Sequence, residues 1–95
     1  MTNDITEYVV DEAKRIEDMD SYEQLEPLEV KVECSLDGTV REIVCVLTVG
    51  GPHVEVNVTN GTVTGYWGGD SHTTHVNNDS VLDVAHDSYK RQFEA

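Results

Sequence analysis

The residues with the clearest capacity for chemistry lie close together around residue 70. Asp70, His72 and His75 supply a carboxylate and two imidazoles, which are common ligands of transition metals. Ser71 adds a hydroxyl beside them, but nucleophilic catalysis needs a turn that exposes the nucleophile and a base that is held in place. The stretch from 68 to 77 is polar and is interpreted as a loop. We therefore expect exposed loop histidines, with a metal site as the alternative, and we expect no cofactor and no enzymatic activity.

Net charge is the dominant compositional feature. The 95 residues include 19 acids against six Lys and Arg, which gives a formal net charge of −13. Nucleic acids and anionic membranes both require a basic face, so direct binding to either is not expected. The acids are densest in the first 26 residues, where only Lys14 and Arg15 oppose them.

Three interpretations of this acidity remain open: a solvated face without a partner, adaptation to high salt, and imitation of a nucleic-acid backbone. In the third case the partner is a basic nucleic-acid-binding protein. The expected contact residues are then Asp11, Glu12, Glu17, Asp18, Asp20 and Glu23, with Tyr66 as an aromatic anchor.

The N-terminal segment has a helical pattern. Apolar residues recur at spacings of three and four, which predicts a helix from about Asp4 to Met19 with Thr2 or Asn3 as its cap. Ser21 and Gln24 then form a capping-box pattern, which predicts one further helical turn that ends before a proline.

The first predicted hairpin turns at Asp37-Gly38, a dipeptide typical of two-residue β-turns. A two-residue turn places Leu28 opposite Leu47, Val30 opposite Cys45, Val32 opposite Ile43 and Cys34 opposite Arg41. Because Cys34 and Cys45 are then roughly 13 Å apart along the strands, we expect two free thiols and a reducing cytoplasmic location.

The second predicted hairpin turns at Asn60-Gly61. A two-residue turn there places Val58 opposite Val63, Val56 opposite Gly65 and Val54 opposite Trp67. A second helix is expected from about Asn78 to Phe93, with Asn77 or Asn78 as its cap.

The second strand is apolar on both sides, since Val40, Val44 and Val46 alternate with the expected core residues. Such an outer face is usually covered by a helix, a second copy of the chain or another partner. Self-association into a homodimer through these valines is therefore the alternative function, as a structural module with an acidic surface suited to high salt.

The elements together predict a single domain over residues 1–95 with an α+β fold. Its sheet is expected to be a four-stranded antiparallel meander flanked by N-terminal and C-terminal helices. The polar start of the chain is not expected to be a signal peptide, and no apolar run approaches a membrane span.

One segment also carries a resemblance. Gly50-Gly51-Pro52-His53-Val54-Glu55-Val56, the turn at Asn60-Gly61 and then Gly65-Tyr66-Trp67-Gly68 resemble small acidic proteins of phages and plasmids. Some acidic mobile-element proteins of this size are anti-restriction or anti-CRISPR inhibitors, and several of them mimic DNA. The resemblance implies that class of function: a non-enzymatic inhibitor of a host DNA- or RNA-binding defence protein.

Overall fold

A computed structural model describes residues 5–95 of the chain and has an α+β fold. The helices are α1 (Ile5–Glu17) and α2 (Asp79–Glu94), and a single 3₁₀ turn spans Tyr22–Leu25. The strands are β1 (Glu29–Cys34), β2 (Val40–Thr48), β3 (His53–Asn57), β4 (Thr62–Trp67) and β5 (Asp70–His75). The helix start predicted at Asp4 and the cap predicted at Thr2 or Asn3 lie outside the described residues.

The antiparallel sheet has five strands, in the order β1-β2-β3-β4-β5. The prediction of four strands was wrong, because the polar stretch expected to be a loop forms β5. β5 pairs with β4 from Trp67↔Asp70 to Thr62↔His75. The two residues between the strands are Gly68 and Gly69, and Gly68 has a φ of +60°, so this pair forms a tight hairpin turn.

Both helices pack on the same face of the sheet. α1 lies over β4 and β5, whereas α2 lies over β2 and contacts the 3₁₀ turn. The apolar stripe predicted for α1 is buried at Ile5, Val9, Ala13 and Ile16, whereas Tyr8 of the same predicted stripe is 46% exposed. From the sheet, the buried core residues are Ile43, Cys45, Leu47, Val54, Val56 and Val63.

The first hairpin has the predicted pairs at its centre and differs at its ends. Val30 lies opposite Cys45 and Val32 opposite Ile43. Cys34 pairs with Val40 instead of Arg41, because a bulge shifts the register next to the turn. Leu28 precedes β1 and is exposed. Both cysteines are free, as expected.

The second hairpin is shifted by two residues from the predicted register. Val56 pairs with Val63 and Val54 with Gly65. The turn is longer than two residues because the Asn57 side chain accepts the backbone N–H groups of Thr59 and Asn60. A shift by an even number leaves each side chain on its predicted face.

One residue joins the two helices. The Asn78 side chain caps α2 by accepting the Val81 N–H, as predicted. Its amide also donates to the carbonyls of Ile16, Glu17 and Met19 at the end of α1. None of the helices within residues 5–95 has the length and apolar character needed to cross a membrane.

Candidate acidic binding surface

The end of α1 and the 3₁₀ turn form an acidic corner, which we define as Asp18, Asp20, Glu23 and Glu26. All four residues are exposed. Asp18, Glu23 and Glu26 line a groove of about 460 Å³, together with Arg15, Met19, Ser21 and Gln24. The corner therefore presents several carboxylates around a concave surface.

The capping box fixes the backbone of this corner. The side-chain oxygen of Gln24 accepts the N–H groups of Asp20 and Ser21, at 2.7 and 3.0 Å. Ser21 in turn caps the 3₁₀ turn, as its spacing from Gln24 predicted. Glu26 ends the turn with a φ of +43°, in the left-handed region. The acidic side chains thus project from a backbone that is held by local hydrogen bonds.

The predicted contact acids fall into two groups. Glu12 forms an ion pair with Arg15, Glu17 accepts the Asn77 N–H at 3.0 Å, and Glu23 accepts the Ser21 hydroxyl. Within residues 5–95, the carboxylates of Asp11, Asp18 and Asp20 have no hydrogen-bond or ion-pair partner. Among the predicted contact acids, these three carboxylates are therefore the ones free to bind a ligand.

Asp11 extends the acidic surface along α1. Glu7, Asp11, Lys14 and Asp18 recur at three- and four-residue spacing and are all exposed, so they form one outward stripe. Lys14 is the single base within it. Asp18 and Asp20 follow the negative C-terminal end of α1, where the helix dipole disfavours carboxylates.

Glu26 was absent from the predicted contact residues. It immediately precedes a proline, which disfavours helical backbone and therefore marks the end of the turn. That signal identifies Glu26 as the last residue of the corner.

Tyr66 does not join the acidic corner. Its neighbours Gly65 and Trp67 face the helices, so the alternation of β4 places Tyr66 on the opposite face of the sheet. Its ring lies 5.7 Å from the ring of His53, and it is 45% exposed. The sheet therefore lies between Tyr66 and the acidic corner.

The three valines predicted to mediate self-association do not share one surface. The bulge turns Val40 toward the helices, where it packs against the core. Val44 is half-buried on the opposite face, and Val46 is only 1% exposed. Val46 lies between Glu29 and Glu55, whose aliphatic stems can cover it.

The predicted metal ligands lie along a strand and not in a loop. Successive strand residues alternate between faces, so His72 and His75 point to opposite sides of the sheet. Asp70 shares a face with His72. Across residues 5–95, no group of three His, Cys, Asp or Glu side chains is arranged to hold a metal ion.

Comparison with known proteins adds no relative. No protein-family model, curated protein or solved structure matches this chain.

Proposed function

We propose that the protein is a non-enzymatic acidic binding protein that occupies the nucleic-acid groove of a basic partner. The acidic corner, extended by Asp11 along α1, is the proposed contact surface. The observation that carries the proposal is the set of unpaired carboxylates of Asp11, Asp18 and Asp20 on an ordered helix and turn.

Physical chemistry supports a ligand-binding use of these carboxylates. Like charges that lie together destabilise the folded state by repulsion, and Asp18 and Asp20 also oppose the helix dipole. A groove that binds duplex DNA is lined with Lys and Arg to match a phosphate charge every ~3.4 Å along each strand. Carboxylates on a rigid support can pair with such a groove.

The finer proposal concerns the partner class. The resemblance to small acidic phage and plasmid proteins suggests a nucleic-acid-mimicking inhibitor of a host defence protein that binds DNA or RNA. Mimicry of this kind predicts competition, because the nucleic acid and the inhibitor occupy the same groove of the partner. It also predicts salt-sensitive association, since charge steers the encounter.

The test is capture from a host lysate on immobilised protein, with duplex DNA as competitor at about 0.05 M and about 0.2 M salt. We expect a nucleic-acid-binding protein to be retained at low salt and to be released by duplex DNA. Added salt should weaken its binding. Retention of a protein that duplex DNA does not displace contradicts the mimic mechanism. Retention of nothing at either salt contradicts the proposed function and favours a solubilising role for the acids.

A further inference from the structure

The two edges of the sheet differ in charge. β1 forms one edge and exposes Glu29, Lys31 and Glu33. β5 forms the other edge, and after Asp70 it contains only Ser, Thr and His. Proteins commonly protect sheet edges with charged side chains, bulges or prolines, because an unprotected edge pairs with other strands. β1 has this protection, whereas β5 lacks it.

The backbone of β5 presents a defined set of free hydrogen-bonding groups. The Val76 N–H donates to the Gly61 carbonyl at 2.9 Å. Backbone groups alternate in direction along a strand, so the even-numbered residues of β5 direct theirs toward β4. The odd-numbered residues direct their N–H and C=O groups away from the sheet; these are Ser71, Thr73 and His75. No other strand of residues 5–95 pairs with this edge.

These three residues permit a self-complementary register. If a second β5 strand lies antiparallel about a two-fold axis at Thr73, then Thr73 faces Thr73 of the second copy and Ser71 faces His75. Every free N–H of the three residues then meets a free C=O. The register brings no Asp, Glu, Lys or Arg side chains opposite one another along the paired segment from 71 to 75.

The position of α1 fits the same arrangement. α1 lies over β4 and β5 to a similar extent, so its axis runs near the line between these strands. Neighbouring strands are about 4.8 Å apart, which places the α1 axes of two such copies about 10 Å apart, and packed helices lie at about 8–10 Å. At this spacing the two helices can pack side by side.

The side of α1 that is directed toward the free edge of β5 can be identified. The Tyr8 ring stacks on Trp67 of β4, whereas Glu17 binds Asn77 just beyond β5. Nine residues, or two and a half helical turns, separate Tyr8 from Glu17, so they lie on opposite flanks. Val10 lies about two turns before Glu17 and shares its flank. This half-buried valine therefore lies on the side toward the free edge of β5.

We propose that two copies of this chain associate through β5, antiparallel about Thr73, to form a continuous ten-stranded sheet with the two α1 helices adjacent. This inference goes beyond the proposed function and does not depend on it. Because each copy has a net charge of −13, repulsion opposes association at low salt and is screened as salt increases. Dimerisation therefore strengthens with salt, whereas binding of a basic partner weakens.

The test compares Thr73→Lys with Thr64→Lys. The hydroxyls of Thr64 and Thr73 bond to each other at 2.8 Å, so each substitution removes the same hydrogen bond and adds the same charge on the same face. Only Thr73→Lys places two lysines opposite each other at the two-fold axis. Thr64→Lys lies inside the sheet and is the matched control.

Sedimentation velocity of the 10.6 kDa chain provides the first readout. We expect wild type and Thr64→Lys to dimerise, with affinity at least about tenfold higher at about 0.5 M than at about 0.05 M salt. Thr73→Lys should dimerise at least about tenfold more weakly than Thr64→Lys. A wild type that stays monomeric at about 1 mM and high salt overturns the proposal, as do equal affinities of the two variants.

Amide hydrogen exchange locates the contact independently of any substitution. In wild type, the amides of Ser71, Thr73 and His75 should exchange much more slowly in concentrated than in dilute protein at high salt. Dimerisation without added protection of these three amides places the contact elsewhere and overturns the proposed register.

Discussion

Gly65 lies where the sheet and α1 approach each other closely. A Cβ at this position lies 2.6 Å from the Val9 Cγ2 and 2.9 Å from the Ile5 Cδ1, both closer than real contacts allow. Val9 is fully buried and its β-branched side chain has little rotamer freedom, so it cannot move aside. The absence of a side chain at Gly65 thus sets the distance between α1 and the sheet.

Gly65→Ala should destabilise the fold by about 1–3 kcal/mol, because overpacking forces α1 away from the sheet. Urea unfolding measures this loss. Gly69→Ala is the matched control, since a Cβ there meets no atom within 4 Å, and it should change stability by less than about 0.5 kcal/mol. Equal stability of the two variants contradicts the close approach of α1.

The buried Cys45 and the half-buried Tyr89 form a pair with altered acidity. Burial raises the pKa of the Cys45 thiol from its usual 9.0 to about 11, although the Tyr89 hydroxyl offsets part of this increase. Burial also raises the pKa of Tyr89 from 10.0 to about 12, with contributions from Cys45 and Tyr22. The folded chain therefore retains both protons at pH values where the unfolded chain has lost them.

Stability should decrease as pH rises from about 9 to about 12, because the unfolded state releases these protons first. The contribution of both groups is fully present below pH 9. Cys45→Ala should lower stability overall but flatten its decrease between about pH 9 and 11. Denaturant unfolding across this range provides the measurement, and an unchanged pH slope in the variant contradicts the raised thiol pKa.

Among the elements, the helices depend on each other through Asn78. Asn78→Ala removes the cap of α2 and the bonds to three carbonyls at the end of α1. We expect a loss of about 2–3 kcal/mol, which exceeds a simple cap deletion because both helix ends lose partners. Thermal or urea unfolding tests this.

Asn77→Ala is the control for that substitution. Asn77 contributes its backbone N–H to Glu17, and an alanine retains that group. A loss of stability as large as that of Asn78→Ala would show that the joint between the helices lies elsewhere.

Sequence patterns predicted the helices and the centre of the first hairpin well, because apolar period and turn residues specify them. They missed β5 because Thr74 and His72 face the helices without forming an apolar pattern. The signal that was available is Gly68-Gly69, a pair typical of two-residue hairpin turns. The register of the second hairpin depended on Asn57 side-chain bonds, which no periodicity reveals.

At the scale of the whole molecule, the proposed contact surface and the proposed dimer edge occupy different places. The acidic corner lies at the end of α1, and the uncharged edge of β5 lies beneath the flank of the same helix. A dimer through β5 therefore places two α1 helices, and two exposed stripes containing Asp11, side by side. The predicted site combined residues that the structure separates, since position on a face depends on topology and not on residue type.

We propose that the location of the binding carboxylates, and not the total charge, determines binding of the partner. The variant Asp11→Lys/Asp18→Lys/Asp20→Lys reverses the unpaired acids. Its control, Glu33→Lys/Asp70→Lys/Glu94→Lys, reverses three exposed acids outside the acidic corner. Both raise the formal net charge of −13 by six.

Lysines at 18 and 20 interact favourably with the α1 dipole, which stabilises the fold by about 0.3–1 kcal/mol each. The first variant should therefore remain folded and be at least as stable as wild type.

The most direct measurement is the affinity of these two variants for the captured, DNA-displaceable partner, by calorimetry at about 0.1 M salt. We predict that the first variant binds at least about tenfold more weakly than wild type, and that the control changes affinity by less than about threefold. Equal affinities of the two variants would contradict the claim that Asp11, Asp18 and Asp20 form the contact surface.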